Sequence, residues 1–232
     1  MASQKSSVDR AYVRLHKMAV NFEFKPEERL NESSLAVKLG ASRTPLREAL
    51  NRLVAEGLLT LKNGRGFFCR SLSPARIHEL YEARAAIETE ALIRAIERAS
   101  DQEIRVVLDY LNDTESTYDT CDSLPDLLEM DEEFHMRLAE LSNNSELLRM
   151  LENINGRIRY VRLINLQLIK SNTKGMVEQA TKLSAHRIII EAVAQRDLDT
   201  AVSALRKHIE RRREETTEAV RIAYSQLYVP AY

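Results

Sequence analysis

Asp131 and His135 stand four residues apart in a segment of helical periodicity, so one side chain lies above the other on a single helix face, an arrangement suited to gripping one cation. Two more histidines straddle a turn. His186 precedes Asp197 by eleven residues and His208 follows it by eleven. At about 1.5 Å of rise per residue, both reach the same height when the two flanking helices pack antiparallel. One carboxylate and three imidazoles from three helices can then converge inside a bundle. Spacing alone leaves another possibility open, in which each histidine is a hydrogen-bonded core residue and Asp131 a surface partner of His135. Such a donor set suits Zn2+, Ni2+, Mn2+ or Fe2+ without choosing among them.

A second constellation lies near the start of the chain. Within 43–56, Leu46, Ala49, Leu50 and Leu53 recur at i, i+3, i+4 and i+7 and must face a core, which leaves Arg43, Thr44, Arg47 and Asn51 on the other side. That polar face fits a major groove: arginine offers a bidentate fork to guanine edges, threonine a hydroxyl, and the helix N-terminus free N–H groups. Taken alone, Arg47 would read as an ordinary solvated arginine.

The elements that must position these residues follow from the pattern. Ala11, Tyr12, Leu15, Met18 and Ala19 form one stripe of a helix over 8–20. A second helix fits 32–39, with Leu35, Ala36 and Leu39 inward and Gly40 placed to end it, and Ser42 is expected to cap the third. Helix, Gly-containing turn and capped helix make a helix-turn-helix. After Gly57, two apolar runs flank Lys62-Asn63-Gly64-Arg65-Gly66, which predicts a hairpin whose basic tip lays Arg65 along a minor groove or phosphates. Beyond Ser73-Pro74 the spacing predicts six helices, at about 74–99, 101–119, 124–142, 144–170, 175–195 and 198–223, joined by short breaks and therefore packed as an antiparallel bundle. The fold expected is mainly α: a winged helix-turn-helix over 1–73 and a six-helix domain over 74–232.

Composition agrees with this division. Residues 1–73 hold 13 Lys and Arg against 7 Asp and Glu, and the remainder holds 21 against 28, so a basic module precedes an acidic one and only the first is suited to phosphates. The six Gly and five Pro are too few for a fold of many tight turns. Cys69 and Cys121 offer no C-x-x-C spacing and no disulfide framework. No apolar stretch is long enough to cross a bilayer, and the expected location is the cytoplasm.

The run Leu30-Asn31-Glu32, Leu35-Ala36, Leu39-Gly40, Ser42-Arg43-Thr44-Pro45, Arg47-Glu48-Ala49-Leu50, Leu53, Glu56-Gly57-Leu58 and Gly64-Arg65-Gly66 resembles the winged helix-turn-helix of the GntR family of transcription regulators. The resemblance implies that Arg43, Thr44 and Arg47 make the principal operator contacts, that Pro45 shapes the first turn, and that Gly66 lets the wing backbone approach DNA. One departure is Glu27 after Pro26, where the family often has Gly, which bears on the loop before Leu30. Downstream, Asp131-x-x-x-His135-x-x-Leu138, Asn143 or Asn144, Leu147, His186-x-x-Ile189 and His208 resemble the metal-dependent, FCD-type ligand domain of the FadR subfamily, in which an Asp and three His hold the ion. The usual acidic residue before the third ligand is Ala185 here. Arg84 matches a family arginine on the first bundle helix, placed to clamp an effector carboxylate; the other reading makes it a solvated partner of Glu88 at i+4.

The expectation is thus a homodimeric regulator that binds double-stranded operator DNA, as a repressor, under control of a small organic acid bound at a divalent transition metal ion. Two rivals are a regulator that senses the metal itself and a metal-dependent hydrolase, since a metal-bound water can act as a nucleophile.

Overall fold

Leu46, Ala49, Leu50 and Leu53 are all buried, so the stripe on Arg43–Ala55 (α3) forms the floor of the N-terminal core. Ser7–Val20 (α1) covers it with Ala11, Leu15 and Ala19, and Leu35 of Glu32–Leu39 (α2) closes one side. Ala36 and Leu39, expected inward, are only half-buried, because so short a helix buries one narrow edge. The computed structural model describes residues 6–118, 121–171 and 175–228.

Capping explains where these helices begin and end. Ser6 accepts from Asp9 N at 3.1 Å and Asn31 from Ser34 N at 3.0 Å. Gly40, at φ +62°, ends α2 in the left-handed conformation with Ala41 N donating back to Ala36 O at 3.0 Å. Ser42 does hold the N-cap position of α3 in extended conformation, but its side chain makes no capping hydrogen bond, contrary to expectation. The sequence contains the reason. A cap serves the N–H of the second or third helical residue, and the third is Pro45, which has none.

The hairpin pairs Leu59–Lys62 (β1) with Gly66–Cys69 (β2), from Leu59 opposite Cys69 to Lys62 opposite Gly66. Arg65 N donates to Lys62 O at 2.9 Å across a tip whose glycines, Gly64 and Gly66, take φ +69° and +86°. Its outer edge is occupied: Leu30 N donates to Phe67 O and Cys69 N to Glu28 O, both at 2.9 Å, so residues 28–30 lie beside β2 like a third strand. Glu27 enters that segment at φ +62°, the conformation a glycine would take without cost.

The second compact unit runs from Pro74 to Ala223. It is built from Pro74–Arg98 (α4), Asp101–Tyr118 (α5), Leu124–Glu140 (α6), Ser145–Ser171 (α7), Gly175–Ala194 (α8) and the first part of Leu198–Tyr228 (α9). Helix α6 starts at Ser123, which accepts from Asp126 N at 3.4 Å with Pro125 in the first turn. A tight turn at Leu141–Asn144, with Asn143 at φ +50°, reverses the chain into α7. Ala91, Ala139 and Leu151 meet in one apolar layer that ties α4, α6 and α7 together. Arg196, at φ +58°, closes α8: Asp197 N donates to Ala192 O and Arg196 N to Val193 O, while Asp197 Oδ1 accepts from Thr200 N to start α9. An arginine tolerates this strained position because its guanidinium donates to Ile96 O, Ala99 O and Asp101. Helix α9 outruns the expected end by five residues, since the chain meets no Gly or Pro until Pro230. Residues 1–5 and 229–232 of the expected domains, the end of the helix expected to reach 119, and the break at 172–174 lie outside the described residues.

Candidate metal centre and nucleic-acid interface

Asp131 and His135 project from one face of α6 into the bundle, where they meet His186 from α8 and His208 from α9. All four are buried, and one ligand-type atom from each lies within 4.8 Å of the other three. His135 Nε2 and His208 Nε2 are 3.3 Å apart, and His186 Nε2 is 3.6 Å from Asp131 Oδ1. The Phe134 ring stacks on His186 at 4.3 Å between centroids and fixes its plane. The donor set fits a single transition-metal ion: ligands at about 2.0–2.2 Å from a common centre stand at most about 4.4 Å apart, so the side chains need close in by only a few tenths of an ångström.

The surroundings orient these ligands. Glu88 Oε2 accepts from His135 Nδ1 at 2.6 Å, which puts the proton on Nδ1 and turns the Nε2 lone pair toward the cluster. Glu88 Oε1 in turn accepts from Arg84 Nε, so an Arg84–Glu88–His135 chain runs from α4 into α6. Burial alone would raise the Glu88 carboxyl, but Arg84 and His135 outweigh it and hold the group down at about 2. Asp131 divides its oxygens: Oδ1 faces His186 and Oδ2 accepts from Arg162 on α7. Burial would raise Asp131 too; Arg162 and the three histidines instead hold it well below the ordinary carboxylate range.

Arg84 is thus both paired to Glu88 and only 2% exposed, so the solvated alternative is set aside while its i+4 partner is retained. Its Nη2 finds no hydrogen-bond acceptor among the described residues. Sequence reasoning passed over Arg162 and saw Glu88 only as a partner of Arg84. The available signal was a charged residue at a core-period position, as Arg162 sits one residue past buried Val161 and four past buried Ile158. A separate open cleft of about 330 Å3 between α4 and α9, lined by Tyr81, Ala85, Arg206 and Ile209 among others, includes none of the four ligand-type residues.

In the N-terminal unit, Ser42, Arg43, Thr44 and Arg47 are exposed along the start of α3, with Pro45 half-buried, and Arg65 and Gly66 lie at the hairpin tip. Arg47 is engaged within the protein: its Nη1 donates to Glu32 Oε2 at 3.2 Å, and its guanidinium carbon stands 5.6 Å from the Phe67 ring centroid. Sequence reasoning did not foresee this pair, whose partners are fifteen residues apart on different helices.

A basic winged helix-turn-helix and a separate helical bundle enclosing a polar core cluster together define a DNA-binding transcription regulator with a second, helical domain. Residues 7–69 match the model of bacterial regulatory proteins of the gntR family, and residues 79–211 match the FCD domain. The chain belongs to the GntR family of transcription regulators, and its pairing with an FCD domain agrees with the FadR-subfamily resemblance. It is 39% identical to the Nta operon transcriptional regulator of Aminobacter aminovorans, over 91% of this chain and 95% of that protein. It is 30% identical to the transcriptional repressor GlaR of Escherichia coli K12, over 80% and 84% of the two chains. The fold matches that of E. coli McbR/YncC at a TM-score of 0.71 and 20% identity, covering 96% of this chain and 99% of the other. The Nta operon regulator and GlaR are named as transcription regulators and not enzymes, which removes the hydrolase reading. No helix among the described residues is long and apolar enough to cross a membrane.

Proposed function

We propose that the protein is a repressor whose hold on operator DNA is set by a small carboxylate bound at a metal ion in the helical domain. The observation that carries the reading is the gathering of Asp131, His135, His186 and His208 within 4.8 Å inside the bundle, with Arg84 one helical turn from the glutamate that orients His135. The four residues would hold a divalent transition ion, which supplies a Lewis-acidic centre for an anionic ligand. Arg84 turns its remaining Nη2 donor to the same carboxylate, and Glu88 holds both Arg84 and His135 in place.

At the other end of the chain, Arg43, Thr44 and Arg47 enter the major groove, and Ser42 and Pro45 leave the first-turn N–H groups free for a backbone phosphate. Arg65 and Gly66 carry the wing against the adjacent groove or phosphates. A homodimer presents two such units to the half-sites of a palindrome. Repression is favoured by relatives such as GlaR that are named repressors.

The test is an electrophoretic shift with the chain's own promoter DNA at moderate salt. Sequence-specific retardation should be lost in Arg43→Ala and relieved by a small carboxylic acid only when the protein carries metal. Retardation insensitive to Arg43→Ala would refute the interface; release by metal alone, with no organic acid, would make the ion itself the signal.

A further inference from the structure

Asn155 on α7 is 7% exposed, and neither Nδ2 nor Oδ1 of its amide has a hydrogen-bond partner among the described residues. An amide buried in this way forfeits its hydration, and a chain of ordinary core residues has no use for it. The register of the bundle fixes its height. One turn before Asn155, Leu151 packs in the layer of Ala91 and Ala139. Two turns after it, Arg162 pairs with Asp131. Helix α7 runs opposite to α6 and α4, so Asn155 lies between those two levels, along the stretch of the bundle axis that holds His135 and Glu88. Arg84 Nη2, a second buried donor on this stretch that finds no acceptor among the described residues, is one turn along α4 from Glu88.

Within the reading that this bundle binds a carboxylate, we infer that Asn155 selects for hydroxyl groups on that acid, so that the effector is a hydroxylated carboxylate bearing neighbouring hydroxyls. The chemistry of the unsatisfied groups matches that class. Arg84 Nη2 is a charged donor and takes the carboxylate. The Asn155 amide offers one acceptor and one pair of donors side by side: Oδ1 receives the proton of one hydroxyl, and Nδ2 donates to the oxygen of the next. A plain aliphatic acid of the same length would fill the same space and leave both amide atoms unpaired, which is the situation in which a polar site rejects an analogue most strongly.

The test pairs acids that differ only in hydroxyls, glycerate with propionate and tartrate with succinate, by calorimetry on the full-length, metal-loaded protein. The hydroxylated member should bind at least about tenfold tighter. Asn155→Leu, which replaces an unpaired amide by an apolar group of like size, should melt no lower than the parent in the absence of any acid. It should abolish the preference by weakening the hydroxylated acid while the plain acid keeps its affinity within about twofold. Equal affinities within each pair in the parent protein overturn the inference without any variant. A preference that survives in Asn155→Leu also overturns it, as does an Asn155→Leu chain that melts several degrees lower or fails to fold, since the amide then has a structural partner. Binding of none of the four acids refutes the carboxylate reading itself.

Discussion

Replacing Glu88 by Gln tests the orientation of the cluster with almost no change of shape. The glutamate accepts on both oxygens, from Arg84 Nε on one and His135 Nδ1 on the other, at 2.6 Å for the latter. A glutamine has one acceptor oxygen, so one of the two donors must face its NH2 group. Because the Arg84 guanidinium cannot give up its proton, the oxygen goes to Arg84 and the amide nitrogen to His135. Nδ1 must then accept, the proton moves to Nε2, and the lone pair that faced Asp131, His186 and His208 is lost. Partners of this kind change metal affinity by about 10- to 100-fold, or roughly 1.4–2.7 kcal/mol. The measurement is Zn2+ competition against a chromogenic chelator for the parent and Glu88→Gln proteins. Zn2+ affinity unchanged within about twofold would refute the argument, because it would mean that His135 needs no help from Glu88 to present Nε2. The metal-free proteins provide a further check. Glu88 is held down at about 2 in the folded chain, below its ordinary range, so its contribution to stability is complete above about pH 4–5 and fades as pH falls toward 2. The parent should therefore out-melt Glu88→Gln near neutrality, and the gap should narrow on acidification.

Glu27→Gly should stabilise the N-terminal unit by up to about 1 kcal/mol, because relief of a left-handed non-glycine conformation exceeds the added entropy of an unfolded glycine; thermal melting reads it, and a lower midpoint would contradict the assignment of strain. Burial pushes the Cys69 thiol up to about 11, so at pH 8 it remains protonated and shielded. A disulfide reagent should therefore label one thiol per native chain, the half-buried Cys121, and two after denaturation; equal native rates for both would disprove the shielding.

Elements with a continuous apolar stripe were legible in the sequence. The i, i+3, i+4, i+7 pattern of α3 placed Leu46 to Leu53 inward and thereby exposed Arg43, Thr44 and Arg47, and the equal offsets of His186 and His208 from Asp197 anticipated their meeting. Interactions between partners on different helices were not legible. Glu88 reaches His135 across 47 residues and Arg162 reaches Asp131 across 31, and charged residues are so rarely interior that a sequence gives no reason to place them there. The cap at Ser42 fails for a local reason that is readable, the missing N–H of Pro45, and α9 runs on to Tyr228 because Val220, Ala223 and Leu227 keep the helical spacing and no helix-breaking residue precedes Pro230.

The contact between Arg47 and Glu32 bears on how a duplex is told apart from its competitors. A side chain that already holds a carboxylate brings less than a full positive charge to any stretch of DNA, so it adds little to the loose, salt-sensitive attraction that all sequences share. On the proposed reading of Arg47 as a base contact, letting go of Glu32 is worthwhile only where a base edge offers two well-aligned acceptors in exchange. On that reading the ion pair would stay closed on any other sequence.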